Sequence, residues 1–108
     1  MKKGHIYLLS NPVYLKDIFK IGKTTKDPVM RANELSRHSG VPIPFQVIFS
    51  IECIDIKDAE DKIHDAFSNY RINDKREFFK IDPTFCVGVI IAIVNAINQG
   101  TELQVIKQ

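Results

Sequence analysis

Residues 4–10, Gly-His-Ile-Tyr-Leu-Leu-Ser, form a short β-branched and aromatic run ended by Asn11-Pro12, which predicts a strand and a turn. Residues 18–24, Ile-Phe-Lys-Ile-Gly-Lys-Thr, alternate in polarity and predict a second strand that pairs with the first as a hairpin. Asp27 followed by Pro28 combines a capping carboxylate with a proline at the first helical position, so a helix is expected from there to about His38, ended by Ser39-Gly40. On it Val29, Ala32 and Leu35 are expected to face the core. Pro42 and Pro44 bracket a rigid connection, and residues 45–51 predict a third, mostly buried strand. Asp55 or Asp58 caps a second helix whose Ala59, Ile63, Ala66 and Phe67 fall on one apolar face. A polar turn at Asn73-Asp74-Lys75 leads to an extended segment at residues 77–81. Asp82-Pro83 then repeats the cap-plus-proline start for a last helix that reaches Gln99 and stops at Gly100.

Composition narrows this picture. At 108 residues and 44% apolar the chain suits one domain, assigned here to residues 1–100 with a tail at 101–108. The net charge of +2 arises from 15 basic and 13 acidic side chains without a block of like charge, so any nucleic-acid contact has to be local. Cys53 and Cys86 have neither CxxC spacing nor neighbouring histidines, which argues against a disulfide framework or a zinc site and for two reduced core thiols. The apolar run at residues 6–9 is too short for a signal-peptide core, and the one at 85–97 falls short of the roughly twenty residues that span a membrane. A cytoplasmic protein is expected, with no membrane partner.

The polar residues left over form a candidate set. Tyr7 lies in the first strand, Lys20 and Lys23 in the second, Arg31 one turn inside the first helix, and Glu60 and His64 four residues apart on the second helix. Phosphodiester hydrolysis needs a base for water, a cation for the phosphate and a metal for the leaving oxygen. Glu60 suits Mg²⁺ or Mn²⁺, and Arg31 offers a fork for two phosphate oxygens. A phenol such as Tyr7 serves as base only if cations such as Lys20 and Lys23 lower its pKa.

The order Gly4-His5-Ile6-Tyr7, Phe19-Lys20-Ile21-Gly22, Arg31, Glu60-x-x-x-His64 and Glu77-Phe78-Phe79 resembles the GIY-YIG endonuclease superfamily over roughly residues 4–82. It is most similar to the small phage and bacterial branch whose second motif ends in Lys-Ile-Gly. The resemblance implies an α+β fold, a three-stranded antiparallel sheet flanked by helices with the site on one sheet face. It also implies metal-dependent cleavage of DNA, with RNA as the other substrate to test. Lys20 stands where the superfamily has its second tyrosine, so the base is either Tyr7, activated by Lys20, or His64; Tyr7 is preferred.

Several positions have plainer readings. Glu77 is either a further site residue or a partner of Arg76 or Lys80, Phe78 and Phe79 read as packing residues, and Gly22 as a point of close backbone approach. Lys26, Arg37 and Arg71 are candidates for following a phosphate backbone. The last helix is apolar nearly all round, so it either threads the core or binds a second copy; a homodimer through this helix is the expectation. Two other functions stay open: a nucleic-acid-binding module that no longer cuts, and a protein-interaction or inhibitor domain using the last helix.

Overall fold

The computed structural model describes residues 1–38, 43–72 and 75–100, without the side chains of His38, Lys75 and Arg76. The expected helix stop at Ser39-Gly40, the Pro42 side of the connection, the turn at Asn73-Asp74 and the tail at 101–108 lie outside these residues.

The elements run β1 (Gly4–Ser10), β2 (Ile18–Thr24), α1 (Pro28–His38), β3 (Gln46–Cys53), α2 (Ile56–Ala66), a 3₁₀ turn (Ser68–Tyr70), β4 (Arg71–Ile72), β5 (Lys75–Lys80) and α3 (Pro83–Gln99). Each helix starts at an aspartate. Asp27 Oδ1 accepts from Val29 N at 2.9 Å, Asp55 Oδ1 from Asp58 N at 3.2 Å, and Asp82 Oδ2 from Phe85 N at 2.9 Å, so backbone donors that helix geometry leaves unpaired are satisfied. Gly100, at φ 70°, ends α3 in the left-handed conformation that glycine adopts without strain.

The expected α+β architecture is present: an antiparallel sheet with helices on both faces. The sheet has five strands, in the order β3-β1-β2-β5-β4, where three were expected. The extended segment expected at 77–81 is, up to Lys80, part of β5 and a member of the sheet, pairing Ile18, Phe19 and Lys20 with Lys80, Phe79 and Phe78. β4 adds two residues beyond it.

Alternation along the strands builds two cores. Ile6, Leu8, Phe19, Ile21 and Phe79 face α2 and α3, where they meet Ala59, Ile63, Phe67, Cys86, Ile90 and Val94. Tyr7 and Leu9 face the other way, toward Ala32 of α1 and Phe45, with Tyr14, Leu35, Val47 and Phe78 packed alongside. Val29 is not part of this core; it is 57% exposed, because the helix turns Ala32 and Leu35 inward instead. β3 is less buried than expected. Its pairing to β1 shifts between Leu8 and Leu9, so that Phe49 joins the first core and Val47 the second, and Ile48, the extra residue between them, is left 48% exposed.

α3 resolves its own ambiguity. Cys86, Ile90, Ile93 and Val94 are buried, whereas Gly88, Ala92, Asn95 and Gln99 face outward. Ile91 is half-buried, so it is not the exposed apolar position that a self-association surface would offer. Most of the large apolar residues of the helix are used in the core, Phe85 at its start being the exposed exception, and the expected dimer gains no support from its packing. Among the described residues, no helix is long and apolar enough to cross a membrane.

Candidate functional site

Strand β5 pairs with β2 only along Ile18, Phe19 and Lys20. From Ile21 onward β2 runs free of β5 while still paired to β1 on its other side, and the candidate residues gather at this fork. They do not share one sheet face as expected. Lys20 and Gly22 lie opposite Leu9 and Tyr7, toward α1; Lys23 lies opposite Ile6, toward α2. The strand's free edge lets the two sets approach.

Tyr7 is 2% exposed, and its ring crosses Gly22 so closely that a Cβ there would lie 2.6 Å from Cζ and 2.9 Å from Cε1. The close approach expected at Gly22 is therefore made by the Tyr7 phenol. Arg31 hydrogen-bonds the phenolic oxygen from α1, which favours the phenolate. Burial opposes it more strongly, with the charge of Glu77 next, and the Tyr7 pKa is pushed up to about 12.

The sequence suggested the opposite shift, through Lys20 and Lys23. The correction lies in their partners: Lys20 Nζ is bound to Glu77 Oε2, and Lys23 Nζ is 2.6 Å from Glu60 Oε1. Each ammonium is offset by a carboxylate before it can act on the phenol. Lys20 is also buried, with Nζ 5.3 Å from the centroid of the Phe78 ring. Glu77 thus enters the site cluster, as the partner of a lysine more distant in sequence than either neighbour suggested.

Glu60 does not face solvent. Its side chain is 12% exposed, and its second oxygen, Oε2, is buried with no hydrogen-bond partner. A buried carboxylate oxygen left unpaired is costly unless something takes it. Among the described residues there is no group of three or more His, Cys, Asp or Glu that could hold a metal. Mg²⁺ and Mn²⁺ do not require one, since Mg²⁺ binds through one or two carboxylates and retains waters. The Glu60 carboxylate fits such an ion.

His64 sits one turn further along α2. Its Nε2 is 2.9 Å from the Ile21 carbonyl oxygen on the free edge of β2, and its ring packs 5.1 Å from that of Phe79. A carbonyl only accepts, so Nε2 carries the proton and donates it. That nitrogen secures the strand edge and is not available to take a proton from water.

The sequence reading passed over Glu34. Its Oε2 receives Arg31 Nη1 at 3.2 Å and its Oε1 receives Lys26 Nζ at 2.7 Å; the Lys26 bond is the main cause that holds the Glu34 carboxyl below the usual range. Glu34 thereby braces Arg31 beneath Tyr7, and the spacing of three residues on one helix was the available signal. Of the basic residues expected to follow nucleic acid, Lys26 is held by Glu34, and Arg37 is exposed beside Met30, Asn33 and Glu34. Arg71 lines an open cleft of ≈ 520 Å³ with Asp61, His64, Asp65 and Ser68, its guanidinium 5.5 Å from the Phe79 ring centroid.

Fold and site together define an α+β domain with a polar cluster at a sheet fork, built around a tyrosine, an arginine and a largely buried glutamate. The chain belongs to the T5orf172 domain family, whose model matches residues 4–98. This is a phage-type domain associated with HNH and GIY-YIG-like nuclease domains, which gives the chain a nucleic-acid-related setting. No curated protein and no solved structure matches the chain.

Proposed function

We propose that this domain is a GIY-YIG-type endonuclease that hydrolyses phosphodiester bonds in DNA with one divalent metal ion, Mg²⁺ or Mn²⁺. The observation that carries the reading is the Glu60 carboxylate, buried at the fork with Oε2 unpartnered and within electrostatic reach of Tyr7 and, through it, Arg31. Glu60 would hold the divalent cation, which would supply positive charge to offset the negative charge developing on the leaving oxygen. Arg31, braced by Glu34, holds a non-bridging phosphate oxygen and meets the charge that grows there as water attacks phosphorus. Tyr7 takes the proton from that water as the P–O ester bond breaks.

At neutral pH the resting phenol keeps its proton, so Tyr7 acts as base only from the small phenolate fraction, which the Arg31 bond enlarges. His64 holds the strand edge and Gly22 makes room for the phenol. The raised pKa of Tyr7 and the pairing of both lysines also favour a second reading, a module that binds nucleic acid without cutting it.

Incubation of the purified protein with plasmid, single-stranded DNA and RNA, each with Mg²⁺, Mn²⁺ or chelator, separates the two. Metal-dependent cleavage that is lost in Glu60→Gln supports the nuclease. Retained binding with no cleavage under any metal replaces it with the binding module.

A further inference from the structure

In the resting protein Glu60 already holds a cation. Lys23 Nζ lies 2.6 Å from Oε1, and the Lys23 side chain is 38% exposed, whereas the carboxylate is 12% exposed. We propose that Lys23 is the resting counter-ion of the metal site: its ammonium and the divalent ion compete for one carboxylate, and Lys23 swings away from Oε1 when the ion binds. The inference rests on the assignment of the metal to Glu60.

Three observations support competition over a shared hold. One carboxylate spans so little distance that an ammonium on Oε1 and a doubly charged ion on Oε2 would face each other closely in a setting poor in water, where repulsion is weakly screened. Lys23 has somewhere to go, because its stem is flexible and more than a third of the side chain already meets solvent. Lys20 does not share this freedom, since it is 8% exposed and bound to Glu77. The consequence is a site that binds metal weakly by itself and more strongly once a phosphate offers Lys23 another anion.

Mn²⁺ titration of the nucleic-acid-free protein by calorimetry tests this, with Lys23→Met, Lys23→Arg and Glu60→Gln beside wild type. Lys23→Met should bind Mn²⁺ about three- to tenfold more tightly, reflecting a pair intermediate between exposed and buried ones. Lys23→Arg keeps the competing charge and should stay close to wild type, which separates charge from a general loosening of the fold. Mn²⁺ should also raise the melting temperature of Lys23→Met more than that of wild type, and Lys23→Gln repeats the comparison if the methionine variant folds poorly. Equal or weaker Mn²⁺ binding in both neutral variants, with binding abolished in Glu60→Gln, overturns the competition. Unchanged binding in Glu60→Gln instead removes the metal from Glu60, and the proposed mechanism with it.

Discussion

Gly22→Ala adds a single methyl group at the point where Tyr7 crosses β2. The new Cβ would stand 2.6 Å from Cζ and 2.9 Å from Cε1 of the Tyr7 ring, whereas carbon atoms in contact prefer roughly 3.5–4.0 Å. The phenol must therefore retreat by about 1 Å, and it cannot do so freely, because the ring is 2% exposed and packed among Leu9, Ala32 and Phe45. Overpacking of this kind costs about 1–3 kcal/mol, which lowers the melting temperature of a domain this size by roughly 4–8 °C per kcal/mol. If Tyr7 is the base, a displacement of about 1 Å also slows the chemical step on the order of 10²-fold. Both effects are measurable on one preparation, by thermal unfolding and by single-turnover cleavage of DNA at saturating Mg²⁺. The double variant Gly22→Ala/Tyr7→Ala removes the ring that the methyl group strikes, so Gly22→Ala should cost less stability there than in wild type. A Gly22→Ala protein that melts with wild type and cleaves at its rate would refute the placement of the phenol.

Tyr7 should also leave a signature in alkali. Its folded pKa of about 12 exceeds the ordinary 10.0, so its contribution is complete below pH 10 and is lost as pH rises toward 12, where the unfolded chain releases the proton first. Wild type should lose on the order of 2–3 kcal/mol more than Tyr7→Phe across that window, and parallel denaturation curves for the two proteins would contradict the burial. Glu60→Ala should abolish metal-dependent cleavage and, because it breaks a partly buried pair with Lys23, lower stability by about 1–2 kcal/mol; unchanged denaturant midpoints would show that the pair contributes nothing. Arg71→Ala should weaken DNA binding and reduce the slope of log affinity against log salt by about one; an unchanged slope would place Arg71 outside the nucleic-acid contact.

The local signals in the sequence were strong where one residue type does one job. Asp27-Pro28 and Asp82-Pro83 mark helix starts through short-range hydrogen bonds and a fixed proline φ, and both helices begin there. β1, an apolar run ended by Asn11-Pro12, and β2, which alternates in polarity, were equally readable over seven residues each. β4 was not, since two residues carry no period, although its partner β5 begins only a few residues further along the chain. Distance along the chain is what hid the electrostatics. Lys23 and Glu60 are 37 residues apart, and Lys20 and Glu77 are 57 apart, so the two pairings that neutralise the lysines exist only after the sheet and α2 have assembled. Tyrosine beside two lysines suggested a lowered pKa; burial and Glu77 raise it instead. Glu60 followed by His64 showed two polar groups stacked on one helix and not their partners: β2 takes one through Lys23 and the other through the Ile21 carbonyl.

The register shift at Ile48 also bears on how the outer edge of the sheet meets other chains. β3 is an outermost strand of the sheet, and Val47, Ile48, Phe49 and Ile51 give it the composition of a segment prone to stack into fibrils. A visiting strand needs an unbroken ladder of backbone donors and acceptors. The bulge interrupts that ladder near the middle of β3, and Glu52 places a carboxylate further along it, so an incoming copy can hold register for only a few residues on either side. Removing the bulge by deleting Ile48 would offer a continuous edge, so the irregularity that divides Val47 and Phe49 between the two cores also shortens the ladder open to a visiting strand.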